Sequence, residues 1–145
     1  MVTGRFSPRN LGLESTIRVL VEEHVIMKDG LRRVKEATER RDFRSASLVL
    51  KELDMIFRQH IADEEFQILG LLIERLGVEG AAEEIKIFQQ HRPIYQLMKR
   101  VTELAATPAI ELEAVQAELT TLLDRHTAAE ERQVFPKATS LRQKS

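Results

Sequence analysis

The chain contains four histidines, and two of them precede a glutamate by four residues, in the stretches QHIADEE (59–65) and RHTAAEE (125–131). Residues four apart on an α-helix lie on the same face, with Cβ atoms about 5–6 Å apart. The pairs His60–Glu64 and His126–Glu130 can therefore each reach one metal ion from a single helix. Imidazole and carboxylate ligands together suit iron, and also zinc, manganese or copper.

The composition excludes several other kinds of site. Cysteine is absent, so disulfides, Cys-ligated zinc and clusters held by protein thiolates are excluded. The net charge of −1 gives no basic footprint for nucleic acid. No apolar run approaches the roughly 20 residues that cross a bilayer, and the N-terminal residues carry no hydrophobic signal core. We therefore expect a single-domain cytoplasmic protein with neither a nucleic-acid nor a membrane partner.

Four stretches with helical periodicity must position these residues, at about 13–40, 44–76, 81–106 and 107–138. Each predicted apolar stripe contains one histidine. The stripes are Ile17, Leu20, His24, Met27, Leu31 and Val34; Leu53, Phe57, His60, Glu64 and Leu71; Ile87, His91, Tyr95, Met98 and Val101; and Leu112, Val115, Leu119, Leu122, His126 and Glu130. All four histidines and two glutamates are thus predicted to face the core.

Chain breaks separate the predicted helices. The glycines of GVEG (77–80) end the second, and Thr107 and Pro108 are predicted to be the N-cap and first residue of the fourth. Pro93 should kink or split the third helix. Three short connections predict an all-α, antiparallel up-down-up-down four-helix bundle over residues 13–139 with the metal site in its core, flanked by tails at 1–12 and 140–145.

The positions of the histidines along the chain predict one shared level. His24 and His60 each lie 18 residues from Asp42, the centre of the first connection. The same count across the other two connections leaves mismatches of about 7 and 5 Å at about 1.5 Å per residue. The four histidines therefore fall near one layer when the chain is folded back on itself.

The alternative interpretation is a metal-free helical interaction module with hydrogen-bonded core histidines. It leaves four inward histidines and two inward carboxylates at one level, where burial without a cation is unfavourable. Two carboxylates without metal would repel each other, which favours uptake of a proton. Glu65 and Glu131, one residue around the helix from the inward pair, are expected to be solvated.

This pattern resembles the hemerythrin-like, or HHE cation-binding, family. The resemblance covers about residues 13–138 and rests on EEHVIM (His24), HIADE (His60, Glu64), QQHRPI (His91), HTAAE (His126, Glu130) and the run EERQVFP. It implies a non-haem di-iron centre in a four-helix bundle, in which two oxo- or hydroxo-bridged iron ions share the Glu64 and Glu130 carboxylates and the histidines cap them. Zinc or manganese would suit the same ligands. Ferritin-like bundles instead use Glu-x-x-His, with a three-residue step.

One position departs from the family. Oxygen-carrying hemerythrins have another histidine one turn after the first on the third helix, where this chain has Tyr95. Tyr95 is then either a core aromatic with a hydrogen-bonded hydroxyl, or an extra phenolate ligand or a donor to a ligand.

Two octahedral metal ions offer about twelve coordination positions. Four histidines, two bridging carboxylates and a bridging oxygen fill about ten of them.

Two functions follow from the resemblance. One is a protein that binds or senses a small ligand, O2 or NO, or iron itself. The other is a di-iron oxidoreductase acting on peroxide or NO, or an iron donor for the repair of iron–sulfur centres. About two open positions favour reactions over reversible oxygen binding.

Overall fold

The structure, a computed structural model, describes residues 6–107 and 109–143, and within these residues it contains helices and no strand. The helices form four rods. The first is α1 (Leu13–Glu39); the second is α2 (Phe43–Asp63), the π-helical segment π1 (Glu64–Leu69) and α3 (Gly70–Gly80); the third is α4 (Ala82–Gln89) and α5 (His91–Ala106); the fourth is α6 (Leu112–Ala129), the π-helical segment π2 (Glu130–Val134) and α7 (Phe135–Gln143). Helices α1 and α5 each pack against both α2 and α6, so the predicted all-α bundle is confirmed.

The connections between the rods follow the sequence signals in two of three cases. Asp42 caps α2 by accepting a hydrogen bond from the Ser45 backbone N–H at 3.1 Å. Gly77, with φ of 74°, ends the regular part of α3, as predicted. The prediction of Thr107 as an N-cap is wrong: Thr107 follows the last residue of α5, and α6 begins at Leu112. Pro108 lies outside the described residues.

The third rod breaks at Gln90, as Pro93 predicted. Pro93 is the third residue of α5, where its missing N–H leaves no helical hydrogen bond unmade. On either side of His91 the nearest buried residues are three positions away, where the sequence pattern assumed steps of four. Phe88 and Ile94 are buried, whereas the sequence pattern placed Ile87 and Tyr95 inward.

The second rod changes its inward face at π1. Residues of a π-helix bond five positions back, as the Gly70 N–H does to the Glu65 carbonyl, and the wider turn delays the return to one face. Leu72 is therefore buried, where a continuous α-helix predicts Leu71.

The apolar core has two parts on opposite sides of the histidines. Along each rod, one part begins three residues from the histidine, at Met27, Phe57, Ile94 and Leu123. The other part begins three or four residues from the histidine or glutamate in the opposite direction, at Leu20, Ile68, Phe88 and Val134. Gly30 lets α1 approach α2, because a Cβ there would meet Leu53 Cδ2 at 2.5 Å.

The ends of the bundle extend the predicted boundaries. Helix α7 continues to Gln143, beyond the predicted end near residue 138. Residues 7–11, predicted as part of a tail, are not helical but lie against α1 and α2. None of the described helices combines the length and hydropathy that a membrane span requires.

Candidate metal centre

The six residues singled out by type and spacing lie together between the two parts of the core. They form the His/Glu cluster: His24, His60, Glu64, His91, His126 and Glu130. All six are buried. The cluster contains two overlapping groups of four residues, and within each group one ligand atom per residue lies within 4.8 Å of the others, so each group could hold a metal ion.

The first group contains His24 and His60 together with both glutamates. The His60 Nε2 atom lies 3.1 Å from Glu64 Oε2. The His24 Nε2 atom lies 3.0 Å from Glu130 Oε1 and 3.9 Å from Glu64 Oε2. We call this part of the cluster the His24/His60 half.

The second group contains His91 and His126 with the same two glutamates. The His91 Nε2 atom lies 2.8 Å from Glu64 Oε1, and the His126 Nε2 atom lies 3.0 Å from Glu130 Oε2. In this His91/His126 half the carboxylates present their other oxygens. Each glutamate therefore directs one oxygen to one half and the second oxygen to the other, which is the arrangement of a carboxylate between two metal ions.

Most inward atoms of the cluster lack hydrogen bonds. Among the described residues, seven of the eight inward nitrogen and oxygen atoms of the cluster have none: the Nε2 atoms of His24, His91 and His126 and both carboxylate oxygens of Glu64 and Glu130. Buried polar atoms are normally hydrogen-bonded, because leaving one unpaired costs about 1–3 kcal/mol. Nitrogen and oxygen atoms that lie close together without forming hydrogen bonds are arranged as metal ligands directed at one shared cation.

The opposite nitrogen of every histidine has a partner on a different rod. His24 Nδ1 lies 2.6 Å from Glu131 Oε2, and His60 Nδ1 lies 2.9 Å from Glu23 Oε1. His91 Nδ1 lies 3.1 Å from Glu65 Oε2, and His126 Nδ1 lies 2.9 Å from Gln90 Oε1. Each oxygen accepts a hydrogen bond from Nδ1–H, which leaves Nε2 unprotonated and directed into the cluster in the neutral histidine. Such bonds orient a metal-binding imidazole and increase its basicity.

These four partners were not predicted. Glu65 and Glu131, expected to be solvated, have side chains 49% and 39% exposed but contact histidines on other rods. Each partner adjoins a cluster residue in sequence: EE at 64–65 and 130–131, EH at 23–24 and QH at 90–91. A polar residue directly beside each of these cluster residues was the sign that the sequence offered. Helical periodicity describes the faces of one helix, so it does not reveal a contact with another rod.

The π-helical segments begin at the two glutamates. Glu64 is the first residue of π1 and Glu130 the first of π2. The wide turn follows each H-x-x-x-E pair, so the pair keeps ordinary α-helical spacing while the next residue reaches the histidine of another rod. Short π-helical insertions are frequent at functional sites.

Burial and charge act in opposite directions on the imidazoles. Burial alone would lower the pKa of His24, but the carboxylates of Glu130 and Glu64 outweigh it and raise this pKa to about 10. For His60, burial is likewise outweighed by Glu64 and Glu23, which raise the pKa to about 9. The pKa of His91 is raised well above its ordinary value, although burial opposes this, because its ring faces Glu130 and Glu64.

The two carboxylates remain ionised. Burial alone would raise the pKa of Glu64, but the imidazoles of His60 and His24 hold it well below its ordinary value. Burial and the charge of Glu64 would raise the pKa of Glu130, yet contacts with histidines lower it. Without metal, the protons therefore lie on imidazoles, and not on the carboxylates as the sequence reasoning favoured.

Tyr95 does not join the cluster. Its hydroxyl accepts a hydrogen bond from Arg58 Nη2, whose guanidinium lies over the ring at 5.3 Å from the ring centre. The ring lines a groove between α2 and α5 with Leu50, Asp54 and Met98. These contacts agree with the alternative of an aromatic side chain that packs against the core with a hydrogen-bonded hydroxyl, and ligation of metal by Tyr95 stays a prediction. Because α5 starts at His91, Ile94 takes the inward position one turn later.

Comparison with known proteins adds no identification. No protein-family model, curated protein sequence or solved structure matches this chain.

Proposed function

We propose that this chain is a hemerythrin-like, non-haem di-iron protein that binds a small ligand such as O2 or NO. The observation that carries the proposal is the division of the Glu64 and Glu130 oxygens between the two halves of the cluster. His24 and His60 would hold one metal ion, His91 and His126 the other, and the two carboxylates would bridge them. Bound iron would supply redox chemistry and open coordination positions for the ligand.

An antiparallel arrangement of neighbouring rods is part of this proposal. Helix α1 meets the fourth rod at His24–Glu131 and again at Thr38–Gln116. Residue numbers therefore increase along one rod and decrease along the other. The reversal supports the up-down-up-down connectivity that the short connections predicted.

The surroundings of the cluster favour a sheltered metal site. The ring of Phe135 stacks on His24 with centres 5.9 Å apart, and Phe88 stacks on His91 at 5.3 Å. Apolar side chains lie on both sides of the layer, so water is excluded except near the half-exposed Glu65 and Glu131. A low-polarity site strengthens the interaction between a cation and its carboxylate ligands.

A second candidate function is a di-iron oxidoreductase acting on peroxide or NO. It is favoured by Ile94, the apolar residue that is buried one turn after His91, whereas Tyr95, at the sequence position of the oxygen carriers' further histidine, contacts Arg58. An apolar side chain there supplies no ligand, so more coordination positions stay open to a reacting molecule. Steady turnover of hydrogen peroxide or NO by the iron-loaded protein would select this candidate over simple binding.

The test is anaerobic loading with Fe²⁺, followed by metal analysis and absorption spectra before and after exposure to O2 or NO. We expect two iron ions per chain and new visible or near-ultraviolet bands on exposure. His60→Ala and His126→Ala should each sharply reduce iron content, whereas Glu118→Gln, an exposed position on α6, should not. Two iron ions per chain in both histidine variants would refute the ligand assignment. A protein that takes up zinc and no iron would exclude the redox function.

A further inference from the structure

Residues 7–11, here called the strap, contact Glu23, Gln59 and Asp63, the sequence neighbours of His24, His60 and Glu64. The Ser7 carbonyl accepts a hydrogen bond from Gln59 Nε2 at 2.9 Å, and the Leu11 carbonyl accepts one from Gln67 Nε2 at 3.0 Å. Between these two attachments, Arg9 reaches inward. The strap is therefore fixed at both ends and presents a cation between them.

Arg9 bridges two acidic side chains from different rods. Its backbone N–H and its Nε–H donate to the two oxygens of Asp63, each at 2.7 Å. Its Nη2 donates to Glu23 Oε2 at 3.0 Å. Asp63 is almost fully buried and Glu23 nearly so, with side chains 3% and 11% exposed. Loss of Arg9 would leave two buried carboxylates without their guanidinium partner, which is unfavourable.

Glu23 divides its two oxygens between the strap and the cluster. Oε2 accepts from Arg9, while Oε1 lies 2.9 Å from His60 Nδ1. The planar guanidinium, held in place by Asp63, fixes the direction of the Glu23 carboxylate. Glu23 in turn fixes the orientation of the His60 ring, whose Nε2 faces Glu64 at 3.1 Å. A continuous chain of contacts thus runs from the strap to the interior of the cluster.

We infer that Arg9 is a positioning residue that, through Glu23, orients His60 for metal binding in the His24/His60 half. The inference rests on the proposed function, because it assumes that the cluster binds metal. It gives the strap a role in metal affinity that acts through Glu23. In the His91/His126 half, the residues that hold the histidines are Glu65 and Gln90.

The experiment is an anaerobic Fe²⁺ titration of the full chain against a competing chelator. It compares the wild type with Arg9→Met, Arg9→Lys, Glu23→Gln and the Arg9→Met/Glu23→Gln double variant. The matched control is Arg32→Met, which breaks exposed ion pairs to Asp29 and Glu36. Loss of a partner of a metal-binding histidine typically weakens affinity about 10–100-fold, so Arg9, one contact further out, should change it by up to about tenfold.

We expect Arg9→Met to weaken one of the two Fe²⁺ affinities and Arg9→Lys to restore part of it. In the Glu23→Gln background, Arg9→Met should add no further loss, because the contact that transmits its effect is already changed. Additive losses, or an Arg9→Met affinity equal to that of Arg32→Met, would overturn the inference.

A second variant keeps the test usable when Arg9→Met fails to fold. Asp63→Asn removes the negative charge and one of the two acceptors that anchor Arg9 while retaining Glu23 and the six cluster residues, and it should reproduce the weakening at one site. Unchanged affinity in folded Asp63→Asn would overturn the inference. The wild-type titration separates the two proposals: binding of fewer than two Fe²⁺ refutes the proposed function, whereas normal wild-type binding with unaffected variants refutes only the role of Arg9.

Discussion

The His24/His60 half and the His91/His126 half of the cluster share one design and differ in the charge around it. Both have two histidines that direct Nε2 towards the same two carboxylates, and both hold each Nδ1 with a residue from another rod. Two carboxylates, Glu131 and Glu23, serve the first half. One carboxylate, Glu65, and one amide, Gln90, serve the second.

This difference shows how two nearly equivalent sets of ligands can bind two metal ions with unequal affinity. An anionic partner on Nδ1–H increases the electron density at the metal-binding nitrogen more than a neutral amide does. The first half should therefore bind a dication more tightly, and the second should be filled later and emptied sooner. The predictions below test this comparison, from the largest expected effect to the smallest.

Removal of a shared carboxylate should disrupt both halves together. Glu64→Gln replaces oxygens that face His60 on one side and His91 on the other with a neutral amide. We expect both Fe²⁺ affinities to fall by more than the roughly 10–100-fold expected for an outer partner. Metal analysis after gel filtration measures the effect, with exposed Glu118→Gln as the control. Normal occupancy of either half in Glu64→Gln would contradict a bridging role.

Metal removal should lower the melting temperature. A ligand that binds only the folded state at about 100 times its Kd adds about 2.7 kcal/mol, which corresponds to roughly 5–10 °C for a chain of this size. Thermal unfolding with and without a chelator, after verified removal of the metal, measures the shift. An unchanged melting temperature would favour a metal-free helical module.

The shift on metal removal should grow with pH. The pKa values of His24 and His60 are raised to about 10 and about 9, so their contribution to stability without metal is complete below the unfolded value of about 6.5. This contribution is lost as the pH rises through the pKa values of the two histidines in the folded state. Metal competes with these protons, so metal binding strengthens over the same range. Melting curves at about pH 6 and about pH 8.5 should show a larger metal-dependent shift at the higher value; an equal or smaller shift would contradict the assignment of the protons to the histidines.

Exchanging the residues that contact Nδ1 should remove or reverse the difference in Fe²⁺ affinity between the two halves. Gln90→Glu gives His126 an anionic partner like those of the first half, and Glu131→Gln gives His24 a neutral one. We expect the first change to strengthen one Fe²⁺ affinity and the second to weaken the other, each by about tenfold. Stepwise titration of both variants against the wild type measures this. Identical titrations in all three proteins would show that outer charge does not distinguish the halves.

Tyr95→Phe should have the smallest effect. It removes a hydroxyl that accepts from Arg58 on the surface side of α5, at a cost of about 1 kcal/mol in stability. Iron content and the visible spectrum of the ferric protein should not change. Loss of a visible charge-transfer band in this variant would mean that the phenolate ligates iron in the loaded protein.

The sequence predicted the parts of the fold and cluster that depend on regular helical periodicity. The four rods, the break before Pro93 and the end of regular helix at Gly77 in the second rod follow from local signals. The common level of the histidines follows from their similar distances to the connections, which are equal only across the first. The six residues of the His/Glu cluster come together because the helices have about the predicted lengths.

Other features depend on contacts or geometry that periodicity does not carry. A π-helical turn places Leu72 inward instead of Leu71, and the new helix start at His91 places Ile94 inward instead of Tyr95. Glu23 reaches a histidine on another rod, so a single-helix pattern does not reveal its role. Arg9 lies in a segment without periodicity, where its buried partners become visible only in three dimensions.

The most direct test of the central claim is the structure of a crystal of the Fe²⁺-loaded protein, with anomalous differences measured at the iron absorption edge. The account predicts two peaks about 3.5–4 Å apart. One should lie beside His24 and His60, the other beside His91 and His126, with Glu64 and Glu130 spanning both. A single peak, or iron bound outside the six residues, would contradict the dinuclear centre.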